Sequence, residues 1–238
     1  VGYKGTILKT SNGGHSWEEQ ASPTKSSLHD VFFKDAQTGW AVGWSGAILK
    51  TTDGGAHWQS QVSGTQLALE AVHFTDTQKG YAAGLGGRIL KTDDGGATWT
   101  IHSTGTLQWL YDVYFIDDQT GWAVGDRGAI LRTTDGGNKW DVQTVDPAND
   151  LKAVYFTSHQ TGWAVGKKGT MFSTSDGGVH WQQQISGVVQ GLSAVYFTSA
   201  QEGWIVGEDG LVLYTADGGL HWVPKPYSPK NIFLDLYF

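Results

Sequence analysis

The amino-acid sequence predicts an all-β fold: a six-bladed β-propeller with four antiparallel strands in each blade. The first observation is a segment of the type G-x-I-L-K-T-x-D-G-G-x-x-W, which recurs six times at a constant interval of 41 residues. Its copies begin at Gly5, Gly46, Gly87, Gly128, Gly169 and Gly210. The second observation is composition, because 34 Gly and 12 Trp among 238 residues indicate many short strands and tight turns. Four strand signals in about 40 residues are typical of one propeller blade.

Each repeat holds four candidate strands in a fixed order. The first has the pattern L-x-x-V-x-F, as in residues 69–74, and the second reads GWAVG, as in residues 39–43. The third is the ILKT segment at residues 48–51, and the fourth follows the tryptophan of the repeated segment. Turn-forming Gly, Asp and Ser separate these segments, and none shows the 3.6-residue period of a helix. We therefore expect one four-stranded sheet from every repeat.

The two ends of the chain together supply one further blade. Residues 231–238 match the first strand of a repeat, and residues 1–20 match the end of the second strand, the third and the fourth. Pairing of the two ends would close the ring and protect the sheet edges. We therefore expect a single domain over residues 1–238, whose last blade is completed by residues 1–20 plus 231–238. The constant interval is also compatible with an amplified or engineered array that has no selected function.

The D-G-G segment of each repeat is interpreted as a structural turn. An Asp side chain can accept hydrogen bonds from backbone N–H groups just downstream, and paired glycines permit the positive φ angles of a tight hairpin. One copy has Asn instead of Asp, and the residue before the Trp is His in only three copies. This tolerance argues against catalysis or metal binding by these side chains. The turn residues are Asn12, Asp53, Asp94, Asp135, Asp176 and Asp217.

Charge and residue usage argue against several classes of function. A formal net charge of −7, with arginine only at 88, 127 and 132, offers no basic face for nucleic acid and no arginine triad of the sialidase type. No apolar run approaches the roughly 20 residues of a membrane span. The chain has no cysteine, and we find no nucleophile–base pair, metal-ligand spacing or phosphate-binding loop. We therefore expect no catalytic residue, no metal and no cofactor.

The third position of the first strand alternates between Asp and Ala. Asp30, Asp112 and Asp235 occupy it in three repeats. Carboxylates beside a central channel could hold water or a cation, and a pair of them across a cleft is what a glycosidase needs. We instead expect each Asp to accept hydrogen bonds from the backbone of a neighbouring blade. A carbohydrate-binding or glycosidase-related propeller stays the alternative function.

Function in a repeat fold is expected where the repeats differ. The turn between the second and third strands and the loop that leads to the next blade vary most, and both lie at the same end of a blade. Aromatic and mixed charged side chains there are typical of a surface that binds protein or sugar, whereas solvated turns with packed aromatics are the alternative. The predicted binding residues are Tyr3, Trp44, Trp109, Arg127, Lys167, Lys168 and Glu208.

The repeated S/T-x-D-G-G-x-x-W segment resembles the Asp-box, or BNR repeat, of sialidases, some glycoside hydrolases and sortilin-type receptors. Together with L-x-x-V-x-F and Q-x-G-W-A-V-G, the whole repeat resembles the photosystem II stability/assembly factor-type propellers. The resemblance implies a non-enzymatic, monomeric scaffold that grips an extended peptide or membrane-protein segment, in an extracytoplasmic compartment. It also implies partner binding by an arginine-rich surface, where this chain has Arg127 with Lys167 and Lys168. That family typically has seven blades, and this sequence counts six.

Overall fold

The computed structural model describes residues 1–146, 148–225 and 231–236. Within those ranges the chain forms five four-stranded antiparallel sheets and one two-stranded sheet, the N-terminal sheet. The N-terminal sheet contains β1 (Ile7–Lys9) and β2 (Glu18–Gln20). The other sheets contain β3 (Leu28–Phe33), β4 (Gly39–Gly43), β5 (Ile48–Thr51) and β6 (Gln59–Gln61); β7 (Leu69–Phe74), β8 (Gly80–Gly84), β9 (Arg88–Thr92) and β10 (Thr100–Ser103); β11 (Leu110–Phe115), β12 (Gly121–Gly125), β13 (Ala129–Thr133) and β14 (Asp141–Thr144); β15 (Leu151–Phe156), β16 (Gly162–Gly166), β17 (Thr170–Thr174) and β18 (Gln182–Ile185); and β19 (Leu192–Phe197), β20 (Gly203–Gly207), β21 (Val212–Thr215) and β22 (Val223–Pro224).

The sheets confirm the predicted six-bladed all-β propeller. Strands follow one another across each four-stranded sheet in chain order, and the first strand of one sheet packs against the first strand of the next. These first strands therefore surround the axis of the molecule. Within the described residues, no helix is long and apolar enough to cross a membrane.

The core lies between neighbouring sheets and is built from aromatic rings. Trp40 of β4 stacks on Phe74 of the next sheet at 3.5 Å between ring centroids, and Trp99 meets the same Phe74 edge-on at 5.9 Å. The Trp40 Nε1–H donates to the carbonyl of Gly95, 3.1 Å away, so the buried indole is satisfied. Tyr81 with Phe115 and Trp122 with Phe156 repeat the stack at 3.6 and 3.4 Å. The repeated aromatic residues thus join one blade to the next.

The C-terminal segment approaches both of its expected neighbours. The Phe233 N–H donates to the Gly207 carbonyl, just as the Leu28 N–H donates to the Gly2 carbonyl at the equivalent positions five repeats earlier in the chain. Asp235 also lies close enough to Asp30 of β3 to raise the pKa of that carboxyl. Both contacts agree with a ring closed by residues 1–20 and 231–238. The last two residues of that predicted closing strand, Tyr237 and Phe238, lie outside the described residues, and closure stays a prediction.

Candidate functional site

The Asp-box side chains hold their own turns. Asp53 accepts hydrogen bonds from the Thr51 hydroxyl at 2.9 Å and from the His57 N–H at 2.9 Å. The Thr51 hydroxyl in turn accepts from the Gly55 N–H at 2.9 Å, and Gly54 and Gly55 have φ angles of +69° and +85°. Asn12 accepts the equivalent bonds through its amide oxygen. The same pattern recurs at Asp94, Asp135, Asp176 and Asp217.

These hydrogen bonds keep the Asp-box carboxylates ionised. The backbone and side-chain bonds from His57 hold the pKa of Asp53 well below its usual range. Bonds from the Thr98 hydroxyl and N–H lower the pKa of Asp94 to about 2. His57, His180 and His221 are exposed, and each lies 2.7 Å from the Asp of its own turn. Each Asp-box is therefore satisfied within itself, as expected for a structural turn.

The inner carboxylates link adjacent blades, as the sequence predicts. Asp30 accepts hydrogen bonds from the N–H of Val31 at 2.7 Å and from the N–H of Val72 in the next sheet at 2.8 Å. Asp112 does the same with its own neighbour and with Val154, at 2.9 Å. Burial raises the pKa of Asp30 to about 7, in spite of the bond from Val72 and with a further rise from Asp235 and Asp112. Burial likewise raises the pKa of Asp112 to about 7.

These raised pKa values predict that the propeller loses stability as the pH rises. A carboxyl with a folded-state pKa near 7 keeps its proton in the folded protein up to that pH, whereas the unfolded chain releases the proton near pH 4. Between these two pH values the unfolded state therefore binds fewer protons, and the free energy of unfolding falls as the pH rises. For each pH unit between the two pKa values, the free energy of unfolding falls by at most about 1.4 kcal/mol per group. Contact of these partly exposed side chains with water makes the loss smaller. As the pH rises from 5 to 8, the free energy of unfolding of the variant Asp30→Ala/Asp112→Ala should increase by about 1–2 kcal/mol relative to that of the wild type.

Thermal unfolding of both proteins at several pH values measures this difference. Alanine already occupies the position at Ala71, Ala153 and Ala194, so the variant should fold. Burial lowers the pKa of His73 to about 4, which gives the opposite slope, but His73 is present in both proteins and cancels in the comparison. Parallel stability curves for wild type and variant would contradict the prediction.

The end of the blades opposite the Asp-boxes, here the variable end, is built from six turns and the loops that contact them. The Trp44 N–H donates to the Ser27 carbonyl at 2.9 Å, and the Lys167 N–H donates to the Asp150 carbonyl at 3.0 Å, so each turn rests on the loop before its own blade. The six turns are Tyr3–Gly5, Trp44–Gly46, Leu85–Gly87, Asp126–Gly128, Lys167–Gly169 and Glu208–Gly210.

The middle residue of each turn adopts the left-handed conformation. Gly86 does so with φ of +74°, where glycine carries no steric cost. In the other five turns a residue with a side chain occupies the position, at φ between 53° and 58°. Residues held in this region cost free energy and concentrate at functional sites. The five residues are Lys4, Ser45, Arg127, Lys168 and Asp209.

The predicted aromatic residues of the variable end differ in exposure. Tyr3 and Trp44 are exposed, and Trp44 meets the His29 ring edge-on at 6.0 Å. Trp109 is half-buried, because its ring stacks on Tyr111 at 5.6 Å. Trp44 therefore offers a free face to a ligand, whereas Trp109 mainly supports Tyr111.

A network that the sequence analysis missed lies beside these rings. The second position of the first strand brings His29, Glu70, Tyr111 and Lys152 from four successive sheets to the variable end. His29 Nδ1 and Glu70 Oε2 are 2.8 Å apart, and the Lys152 Nζ lies 3.0 Å from the centroid of the Tyr111 ring. The Tyr111 hydroxyl donates to Asp126 at 2.7 Å. The variation of this position from repeat to repeat was the signal that could have identified it.

The charged residues of the variable end are partly paired. Lys167 Nζ lies 2.6 Å from Asp150, which also accepts from the Arg127 N–H at 3.2 Å. These bonds and the Lys167 charge outweigh burial and lower the pKa of Asp150. Glu208 accepts from the Gly191 N–H at 2.9 Å. Among the described residues, no ion pair engages the exposed side chains of Arg127 or Lys168. The structure thus brings Arg127, Lys167 and Lys168 to neighbouring turns of one end.

No group of three or more His, Cys, Asp or Glu side chains among the described residues could hold a metal ion. The carboxylates that face the axis are engaged by backbone N–H groups instead.

Comparison with solved structures shows which proteins share this fold. YCF48 from Cyanidioschyzon merolae has a TM-score of 0.76 and 19% identity, over 98% of this chain and 82% of its own. A structure of YCF48 bound to D1 peptide has a TM-score of 0.50 and 19% identity, over 94% of this chain and 85% of its own. The GH74 enzyme of Niastella koreensis has a TM-score of 0.69 and 17% identity, over 83% of this chain but 38% of its own. At these identities the likeness shows the fold alone.

Comparison of the sequence with known protein families identifies the family of this chain. No curated protein sequence matches this chain significantly. The family model described as Photosynthesis system II assembly factor YCF48 matches residues 9–101, 99–155 and 147–231, which together span most of the chain. The chain therefore belongs to the family of the photosystem II assembly factor YCF48.

Proposed function

We propose that this protein is a non-catalytic scaffold that binds an extended protein segment at the variable end. The observation that carries the proposal is the convergence of blade-specific aromatic and charged side chains at that end. His29–Glu70 and Tyr111–Lys152 are pairs from adjacent blades, so they form a surface that no single repeat contains. Exposed aromatic and arginine side chains within a mixed polar surface are typical of protein interfaces.

The charges indicate the chemistry of the bound segment. Arg127 and Lys168 present cations without an ion-pair partner among the described residues, beside the Lys167–Asp150 pair. Family membership supports an assembly-factor role, and the D1 peptide bound by a YCF48 of this fold supports a peptide ligand. We therefore propose a peptide with at least one carboxylate near these turns, which a guanidinium and an ammonium group would bind by charge-assisted hydrogen bonds. We also propose an extracytoplasmic location, on the family membership alone.

Titration of the labelled D1 peptide, followed by fluorescence anisotropy, tests this function. We expect saturable binding that Trp44→Ala and Lys168→Glu each weaken about tenfold, the loss of about 1.4 kcal/mol typical of a central interface contact. Lys139→Glu makes the same charge change at the exposed Asp-box end and should leave the affinity within about twofold.

Three outcomes would contradict the proposal. The peptide could fail to bind, or Lys139→Glu could weaken binding as much as Lys168→Glu. Saturable binding of xyloglucan oligosaccharides without peptide binding would instead favour the carbohydrate alternative, for which the GH74 likeness supplies only the fold.

A further inference from the structure

An arc of aromatic rings surrounds the axis of the propeller near the Asp-box turns. The rings come from the fifth position of successive first strands, and neighbouring centroids lie 5.0–5.1 Å apart. The turn after each first strand contacts the Asp-box of its own sheet, as the Gly95 N–H donates to the Gln78 carbonyl at 2.7 Å. The arc therefore lies at the Asp-box end, opposite the variable end. Its described members, all half-buried, are Phe32, His73, Tyr114, Tyr155 and Tyr196.

The arc opens into a cavity where its members are not tyrosine. The Tyr114 hydroxyl spans to the next sheet and donates to the Phe156 carbonyl at 3.1 Å. His73 has a smaller ring, and Phe32 has no hydroxyl, so neither side chain fills the equivalent space. An open cavity of about 570 Å³, here the axial cavity, lies there, and its walls include Phe32, His73 and Tyr114. This volume is within the range of small-molecule sites, roughly 300–1,000 Å³.

A lysine stands at the rim of the axial cavity. Lys34 lines the cavity and is exposed, and no ion pair engages its ammonium group among the described residues. Burial lowers the pKa of His73 to about 4, and the nearby Lys34 charge adds to this shift, so the imidazole is neutral at pH 7. The architecture of the repeat does not require this cation, because three other repeats have threonine at its position: Thr75, Thr157 and Thr198.

The carboxylates of the axial cavity already have donors. Asp117 accepts from two backbone N–H groups of its own turn at 2.8 and 2.6 Å and lies 2.7 Å from His159 Nε2. Asp118 pairs with Lys79 and accepts from the Thr75 hydroxyl at 2.7 Å. A ligand that enters the cavity therefore meets engaged carboxylates and, within the described chain, one ammonium group without an ion-pair partner.

We infer that the axial cavity binds a small aromatic carboxylate. The carboxylate of the ligand pairs with the Lys34 ammonium group in a charge-assisted hydrogen bond. Its ring lies against Phe32 and Tyr114, because aromatic groups attract one another in tilted and offset arrangements. The small His73 ring leaves the space that the ligand occupies. This site lies at the opposite end of the blades from the variable end and does not depend on the function proposed there.

Titration with naphthoate, followed by backbone amide chemical-shift mapping, measures both the affinity and the place of binding. We expect saturable binding with the largest shifts at Lys34, His73 and Tyr114. Naphthamide, the neutral analogue, should bind more weakly. Lys34→Thr should weaken naphthoate binding about fivefold, the upper end for an exposed ion pair, and leave naphthamide binding unchanged. The variant should fold, because threonine already occupies this position in three repeats.

Two further variants separate the effect of charge from the effect of space. His73→Tyr places in the cavity the residue that Tyr114 supplies one repeat later, and it should weaken binding of both probes about tenfold. Lys139→Thr removes a lysine from another turn of the Asp-box end, where Thr98 occupies the equivalent position. This control should leave both affinities unchanged.

Four results would overturn the inference. The first is no saturation with naphthoate up to about 1 mM, the range of weak specific complexes. Equal affinities for naphthoate and naphthamide, or an affinity that Lys34→Thr leaves unchanged, would show that Lys34 does not bind the carboxylate. Tighter binding of naphthylmethylammonium than of naphthoate would assign the cavity to cations. Shifts centred on the variable end would place the probe outside the axial cavity.

Discussion

Replacement of Trp122 by alanine is expected to lower the free energy of unfolding by about 3–5 kcal/mol. The indole is fully buried, stacks on Phe156 at 3.4 Å and donates to the Gly177 carbonyl at 3.1 Å. Alanine leaves a cavity between two blades and removes the indole hydrogen bond to Gly177, whose carbonyl keeps only the bond from the Arg132 Nε–H at 2.8 Å. For a chain of this size, the change corresponds to a fall in Tm of roughly 6–20 °C, measured by calorimetry.

Trp122→Tyr is the matched control. Tyr81 occupies the equivalent position of another blade, where it stacks on Phe115 at 3.6 Å and its hydroxyl donates to Gly136 at 3.2 Å. We expect the tyrosine variant to lose less than about 1.5 kcal/mol, because it keeps both the stack and the hydrogen bond. Equal losses for alanine and tyrosine would show that the aromatic residue does not join the blades in this way.

Gly125→Ala is expected to destabilise the protein by about 3 kcal/mol and to disturb the variable end. Gly125 is extended, so its backbone angles suit any residue, but an added Cβ would lie 2.0 Å from the Trp109 carbonyl oxygen. Because the obstacle is main chain, the loop that carries Trp109 has to move. Denaturant unfolding measures the loss of stability, and D1 peptide titration should show weaker binding at a temperature where the variant is folded.

Gly2→Ala tests whether this contact is the cause. Gly2 occupies the same place in its repeat, and a Cβ there would have no atom within 4 Å. We expect its stability to change by no more than about 0.5 kcal/mol. A Gly125→Ala variant as stable as Gly2→Ala would contradict the close approach of loop and strand.

The fold could be predicted from the sequence because its local signals repeat in register. The Asp and Gly residues of each Asp-box specify a turn by themselves, and the pattern of β11 and β12 specifies strands, so no long-range information was needed. The bonds from Val72 to Asp30 and from Val154 to Asp112 could also be predicted, since an Asp beside a neighbouring strand needs donors. Completion of the N-terminal sheet by residues 231–238 stays a prediction, because the last two residues of that segment lie outside the described residues.

The candidate site could be predicted only in outline. Variation among repeats identified the variable end and its turns, but not the pairing of Lys152 with Tyr111, because those residues are 41 positions apart and meet only between blades. Trp109 was predicted as a binding residue, with packing of the aromatic side chains as the alternative, and the structure packs it on Tyr111. The left-handed conformation of Arg127 and Lys168 had no sequence signal, since glycine is absent from both positions.

Backbone amide chemical-shift mapping with the D1 peptide tests the central claim most directly. We expect the largest shifts at the variable end, at Trp44, Tyr111, Arg127 and Lys168, with little change at the Asp-box residues Asp53 and Asp135. Shifts centred on the Asp-box turns, or no shifts at peptide concentrations up to 1 mM, the range of the weakest specific affinities, would contradict the assignment of function to the variable end.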